Sequence, residues 1–394
     1  MSEPTTWKLP PHSAAKHELL RRYLEAWYAK LASAGVRRPQ SQLNFIDMFA
    51  GPGIYEGGEP GSPIVALTTL LNHSAFARWS NVKFLFYFVE KEADRCRSLE
   101  QQVEELWASR EGGQPTNISV RIENKSFSDT VADLKEISTA RGGATFSVPT
   151  FAFVDPFGFS DLPLGDLCSL LSRGSCEVLF NFMYNDINRF FTFDNGEHQA
   201  KMKLLFDFDV VPSVEGLKPR EREALLNRHI EEVFRRRGKF EYVRSFQMEG
   251  KTNRTLYSLF FATHRVEGIG VMKDVMWKID PVQGRRFSDR LADQPSLFEG
   301  LPNYEELKAL VLERLATSKA PIVELMDFVT IDTYFKSSHL KKNVLKPLEA
   351  AGKITCIRPL RPLEVGRIEK DTEKLERLYE EGFTLGEAFC KEFI

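Results

Sequence analysis

At 394 residues the chain has room for two or three domains. Its 42% hydrophobic and 27% charged residues make an ordinary globular composition, which excludes wholesale disorder. The 53 Lys and Arg nearly cancel the 55 Asp and Glu to leave a net charge of −2. A protein that coats nucleic acid over its whole surface is therefore excluded, and any such contact must come from a local patch.

The first element is a helix over about Lys16–Leu31. Leu19, Leu20, Tyr23, Leu24, Trp27, Tyr28 and Leu31 recur at spacings of one, three and four, which places them on one face. Ser13 reads as its cap and Gly35 as its break. Apolar runs follow, with helical stretches between them: Leu43–Asp47, Phe84–Glu90, Ile118–Ile122, Phe151–Asp155 and Glu177–Met183. Continuous apolar strands bounded by carboxylates or by Gly and Pro read as a parallel sheet covered on both faces. Two later strands, near Phe240–Phe246 and Tyr257–Thr263, fit an antiparallel edge hairpin. The expected fold over residues 1–285 is α/β, a seven-stranded, doubly wound, Rossmann-like domain.

Residues 286–302 read as a linker that ends at Gly300 and Pro302. Beyond it, residues 303–394 give helices over Tyr304–Leu315, Pro321–Phe328 and Phe335–Ala350, with a turn through Thr330–Thr333 and a short strand over Ile354–Arg358. Three helices and a strand suggest a small winged helix-turn-helix domain, followed by a helical tail over Asp371–Phe393. Pro347 should kink or divide the third helix, because it donates no backbone hydrogen bond.

No apolar run approaches the ~20 residues that span a bilayer, and Met1–Thr6 lacks the charged-then-apolar layout of a secretory signal. The five cysteines, Cys96, Cys168, Cys176, Cys356 and Cys390, form no Cys-x-x-Cys pair, which suits a reducing cytoplasm. None of the seven histidines has metal-ligand spacing, so no metal site is expected. Cys168 and Cys176 read as core residues, and no cysteine follows a proline. That argues against carbon-5 methylation of cytosine, which needs a thiolate nucleophile.

The sharpest motif is Asn44-Phe45-Ile46-Asp47-Met48-Phe49-Ala50-Gly51-Pro52-Gly53, with Gly57, Gly58 and Gly61 after it. A strand that ends in a carboxylate and enters a glycine turn places a nucleotide at the carboxyl edge of a sheet. A phosphate-binding P-loop would end in Gly-Lys-Ser/Thr, and no lysine lies between Lys30 and Lys83. The third glycine of a dinucleotide fingerprint is missing. S-adenosyl-L-methionine fits better, with Asp47, Phe49, Ala50, Gly51 and Gly53 around its amino-acid end and Glu90, at the end of the second strand, on its ribose. A solvated turn with a surface glutamate is the plainer alternative. Asn124 and Ser126 follow the third strand, where the adenine edge would fall, or else cap the next helix.

The fourth strand delivers Asp155, Pro156 and Phe157 to the same crevice. Methylation of an amine needs an acceptor for one N–H, a carbonyl for the other and an aromatic face for a planar group, and these three residues would supply them in that order. Turn chemistry with buried Phe is the alternative. Tyr184, Asn185, Asp186, Asn188 and Arg189 follow the fifth strand and would hold the methyl acceptor. Lys16, His17 and Arg21 would either close over the carboxylate of the cofactor or form a solvated helix face, and His264 reads as a core or turn residue. Arg220–Lys239, and Lys336, Lys341, Lys342 and Lys346 on the third carboxy-terminal helix, are basic clusters that would meet phosphates or simply be solvated. Gln294–Phe298 matches a short clamp-docking peptide, a pattern that also arises by chance.

Lys16–Leu24, Asn44–Gly53, Gly61-Ser62-Pro63, Phe153–Gly158 and Val271–Lys278 resemble the bacterial three-Cys-motif partner proteins, over about Lys16 to Lys278. The resemblance implies a class I methyltransferase-like domain, a carboxy-terminal winged helix and a partner protein that carries the three-Cys motif, but no settled substrate. Phe157 and Gly158 depart from the Asp/Asn-Pro-Pro-aromatic pattern of amino-methyltransferases. The expected activity is S-adenosylmethionine-dependent N-methylation of a nucleic-acid base. Two alternatives remain, a methyltransferase fed a peptide or small molecule by its partner, and a non-catalytic nucleic-acid-binding regulator.

Overall fold

The computed structural model describes residues 5–36, 41–140, 146, 148–156, 163–172, 175–184, 196–209, 212–252, 254–292 and 302–357. The chain divides into two compact units, Met1–Pro302 and Asn303–Ile394.

In the larger unit, α1 (Pro11–Gly35) begins earlier than its apolar periodicity suggests. Pro10 is its cap and Pro11 its first residue, so Ser13 lies inside the first turn rather than capping it. Proline suits that start, since its fixed φ is already helical and its missing N–H would be unpaired there. Leu19, Leu20, Tyr23, Leu24, Trp27 and Tyr28 are buried as one face. Tyr23 also donates to the half-buried carboxylate of Glu177 at 3.0 Å, with Thr263 donating from the other side at 2.7 Å.

The strands are β1 (Gln42–Asp47), β2 (Lys83–Glu90), β3 (Ile118–Asn124), β4 (Thr150–Val154), β5 (Cys176–Phe182), β6 (Tyr242–Glu249), β7 (Thr255–Thr263) and β8 (Arg286–Ser288). They form one sheet in the order β3-β2-β1-β4-β5-β7-β6-β8. β1 to β5 are parallel, β7 is antiparallel to both of its neighbours, and β8 is parallel to β6. The helices are α2 (Ser62–Leu71), α3 (Ala93–Ala108), α4 (Phe127–Ala140), α5 (Leu164–Leu170), α6 (Gly196–Phe206), α7 (Pro219–Arg236), α8 (Val266–Ile279) and the single turn α9 (Asp289–Ala292). A separate apolar cluster fills each face of the sheet, which is why β1, β4 and β5 carry apolar residues on both sides.

Three expectations change. The sheet has eight strands, not seven, because β8 and α9 occupy the start of the stretch read as linker from 286. The late hairpin is not the edge of the sheet, since β7 lies inside it and β8 covers β6. The basic run in α7 is engaged within the fold: Arg236 and Arg237 both bond Asp207 at 2.7 Å, and Arg235 donates to the Glu241 carbonyl.

In the smaller unit, α10 (Glu305–Leu315) and α11 (Ile322–Asp332) precede α12 (Ser337–Leu340), a π turn (Lys341–Leu345) and α13 (Lys346–Ala350). α11 runs through most of the expected Thr330–Thr333 turn. Leu307, Val311, Leu325, Val329, Leu340 and Val344 make its core. Pro347 lies at the start of α13, where the expected third helix divides into α12, the π turn and α13. The preceding turn widens, so that the Lys346 N–H donates to the Lys341 carbonyl, five residues back. This relieves the clash a proline ring makes inside a regular helix. The expected wing strand does not form over 354–357, and Arg358, the tail and Gln294–Phe298 lie outside the described residues. Among the described residues no helix is long and apolar enough to cross a membrane.

Candidate functional site

The chain runs outward from β1 in both directions, to β2 and β3 on one side and to β4 and β5 on the other. The carboxyl ends of β1 and β4 thus mark the switch point of the sheet, the place where open α/β sheets bind ligands.

The loop after β1 is built on Asp47, which is fully buried. One carboxylate oxygen accepts the Phe49 N–H at 3.1 Å and the other accepts the Ser62 hydroxyl at 2.6 Å, so Asp47 ties both ends of the glycine turn together. Burial pushes its proton affinity up to about 7; Asp155 and Glu90 add to this, and its two hydrogen bonds oppose it. Gly51 and Gly53 have φ of 64° and 78°, the left-handed region where glycine is at ease. A Cβ on Gly53 would lie 2.9 Å from Leu99 Cδ1, whereas one on Gly51 would meet only Trp7, at 4.0 Å. The Gly51 N–H donates to Glu90 at 2.8 Å, and the other oxygen of Glu90 accepts the Glu92 N–H at 2.8 Å. The turn then doubles back, with the Gly61 N–H on the Gly53 carbonyl at 2.8 Å.

Over this turn lies a shallow pocket, open to solvent. Gly51, Pro52 and Gly53 form one side, Trp7, Phe49 and Tyr55 give it aromatic walls, and His17, Ser62 and Asp155 supply its polar groups. The first turns of α1 reach across from the other side. Lys16 is 5% exposed, too buried to be left unpaired, and its ammonium pairs with Asp155. It also lies 5.3 Å from the centre of the Tyr257 ring. The second Asp155 oxygen accepts Asn181 Nδ2 at 2.6 Å. Asn181 Oδ1 is buried with no hydrogen-bond partner. The His17 ring is 5.6 Å from that of Tyr55. Burial, reinforced by Lys16 and opposed by Asp155, pushes the proton affinity of His17 down to about 4, so a neutral imidazole faces the pocket at pH 7. Burial and the neighbouring carboxylates hold the Tyr55 and Tyr257 hydroxyls protonated.

Of the residues expected at a cofactor site, Phe49, Ala50, Gly51 and Gly53 line the pocket, while Asp47 and Glu90 brace the turn from behind. Asn124 caps the end of β2 through the Glu90 and Lys91 carbonyls, and Ser126 caps α4 by accepting the Asp129 N–H. Asp155 lines the pocket and Pro156 is buried after it; Phe157 lies outside the described residues. Tyr184 is 7% exposed and closes on the Pro219 carbonyl at 3.0 Å, a packing role rather than a place on the pocket wall. Asn185, Asp186, Asn188 and Arg189 also lie outside the described residues. Lys341 and Lys342 are exposed on the π turn of the smaller unit. Lys16 and His17 are buried at the crevice rather than on a solvated helix face, and Arg21 pairs with Glu18 at 2.7 Å. His264 meets the Leu171 carbonyl at 3.5 Å. Trp7, Tyr55, Asn181 and Tyr257 join the site without having been expected there; only the tertiary fold brings them to Asp155.

A family described as a domain of unknown function (DUF6363) matches residues 339–394. No protein of curated function matches the sequence. Among solved structures the chain is similar to Trm1 from Pyrococcus horikoshii in complex with S-adenosyl-L-methionine, at 12% identity and a TM-score of 0.38, over 71% of this chain and 61% of that one. It is also similar to the putative methyltransferase yhhF from Escherichia coli, at 14% identity and a TM-score of 0.26, over 62% of this chain and 87% of that one. A putative sarcosine dimethylglycine methyltransferase from Galdieria sulphuraria matches at 12% identity and a TM-score of 0.24, over 61% and 85% of the two chains.

Proposed function

We propose that the larger unit is an S-adenosylmethionine-dependent methyltransferase whose acceptor is a nitrogen, with a nucleic-acid base as the favoured acceptor. The observation that carries this reading is the pocket at the switch point between β1 and β4, formed by a left-handed glycine turn on one side and Asp155 on the other. The pocket suits the cofactor. The open space above Gly51 admits a ligand close to the backbone, and Phe49 and the glycine turn would flank the amino-acid end. Glu90 is bound to backbone on both oxygens, yet each carboxylate oxygen has a second lone pair for a ribose hydroxyl.

When bound, the cofactor would supply an electrophilic methyl on a sulfonium. The chain's own task is to position the acceptor and to exclude water. Asp155 is the group that would orient the acceptor N–H. The aromatic walls of Trp7 and Tyr55 would shield the centre, and the neutral His17 would add no positive charge beside a cationic ligand. The exposed Lys341, Lys342 and Lys346 support nucleic acid as the acceptor, and the resemblance to three-Cys-motif partner proteins supports a protein partner.

The test is binding first and transfer second. S-adenosylhomocysteine at about 100 times its dissociation constant should add about 2.7 kcal/mol to stability. Methyl transfer from labelled cofactor into bulk RNA or DNA should follow, and Asp155→Ala should abolish it. An unfolding midpoint that ignores the ligand would overturn the cofactor assignment, and full transfer by Asp155→Ala would overturn the role of that carboxylate.

A further inference from the structure

The Lys16–Asp155 pair presents a difficulty for the site as it stands. Asp155 faces the pocket, yet both of its oxygens are occupied, one by the Lys16 ammonium and the other by Asn181 Nδ2 at 2.6 Å. Each oxygen keeps a second lone pair, but an acceptor amine must share the charge of this carboxylate with the Lys16 cation. Lys16 cannot simply withdraw. The side chains of Lys16 and Asp155 are 6% and 17% exposed, and removing one partner from so enclosed an ion pair strands the other charge at a cost of several kcal/mol. A neutral ligand would not repay that cost. A ligand carboxylate gives the ammonium a new anion, and Asp155 is then left to the Asn181 amide and to the positive charge of the incoming ligand and acceptor.

Resting on the cofactor reading above, we infer that Lys16 is a two-position residue that covers Asp155 in the empty site and takes the α-carboxylate of the cofactor in the loaded one. Its terminal nitrogen touches Asp155, which lines the pocket together with the neighbouring His17, so the ammonium stands one contact behind the pocket wall. Asp155 then keeps Asn181 and gains a free oxygen for the acceptor N–H. The unpartnered Asn181 Oδ1, beside it, stands ready for a second donor. Binding becomes ordered: the carboxylate frees Asp155, and only then does an amine find its acceptor. Lys16 is thus a positioning residue for the acceptor and a contact residue for the cofactor.

Calorimetric titration of the full chain with S-adenosylhomocysteine and with its decarboxylated analogue, S-adenosyl-3-thiopropylamine, tests this without any methyl acceptor. The parent protein should prefer S-adenosylhomocysteine by about tenfold or more. Lys16→Met should reduce that preference to within about twofold, and so should Lys16→Met combined with Asp155→Asn, which leaves no unpaired charge in the pocket and guards against misfolding of the single variant. Asp155→Asn alone should tighten S-adenosylhomocysteine several-fold, because Lys16 no longer has to be taken from a competitor, and should leave the analogue unchanged. A preference that survives in both Lys16 variants, or an affinity that Asp155→Asn fails to raise, would overturn the two-position role while leaving the cofactor reading in place. A parent protein that binds neither compound would overturn both.

Discussion

Replacing His17 by Gln and Asp47 by Asn, one at a time, should separate two pH dependences that nearly cancel in the parent protein. Asp47 has a folded-state value of about 7 against 3.8 in an unexposed-to-structure chain, so its contribution is greatest in acid and is lost as pH rises toward 7. His17 has a folded-state value of about 4 against 6.5, so its contribution is greatest above 6.5 and is lost as pH falls toward 4. Going from about pH 7.5 to about pH 5, the Asp47 linkage adds about 2.5 kcal/mol and the His17 linkage removes about 2 kcal/mol, at 1.36 kcal/mol per unit. The parent should therefore change little from these two groups. Relative to it, His17→Gln should gain about 2 kcal/mol over the same drop, and Asp47→Asn should lose about 2.5 kcal/mol. All five tryptophans, at 7, 27, 79, 107 and 277, lie in the larger unit, so urea unfolding followed by tryptophan fluorescence reports on that unit. If both variants kept the parental pH dependence to within about 0.5 kcal/mol, the burial argument for both groups would be refuted.

Gly53→Ala and Gly58→Ala share a left-handed φ, of 78° and 88°, and each should cost about 1–2 kcal/mol of stability. Only Gly53→Ala drives a Cβ into Leu99, so only it should also weaken S-adenosylhomocysteine; equal weakening by Gly58→Ala in a titration would deny the turn its ligand-holding role. Tyr23→Phe removes a 3.0 Å donor from the half-buried Glu177 carboxylate and should destabilise the larger unit by about 1–2 kcal/mol. Burial pushes the proton affinity of Glu177 up and the Tyr23 hydroxyl opposes it, so removing that hydroxyl should raise it further and the loss should grow with pH in denaturant titrations; a loss independent of pH would refute that coupling.

Much of the parallel sheet was legible because β1, β2, β4 and β5 are short apolar runs closed by polar residues, and the observed strands begin and end within about two residues of them. The order of the last strands was not legible, since two antiparallel strands read the same whichever one lies inside. β8 escaped notice because three residues, Arg286-Phe287-Ser288, are too few to show a period. Likewise, the glycine turn announced itself through residues that only a tight backbone requires, but the polar half of the site did not. A lysine and a histidine on an otherwise amphipathic helix suggest solvent. What buries Lys16 is Asp155 and Tyr257, far along the chain, and no local pattern carries that information. Pro347 was read through its lost hydrogen bond, while the structure answers with a wider turn one residue earlier.

The two margins of the sheet bear on how the chain behaves at high concentration. A long, bare outer strand invites a neighbouring molecule to add its own strand and begin a growing stack. On one side the outermost strand is three residues long and covers the end of β6, Gln247–Glu249, where Arg286 bonds Glu249 at 3.2 Å. On the other, β3 carries Arg121 and Glu123, with Lys125 just beyond, and any intruding strand would have to strip water from those charges. The short β8 and the charges on β3 thus act as guards against growth of the sheet from one molecule into the next.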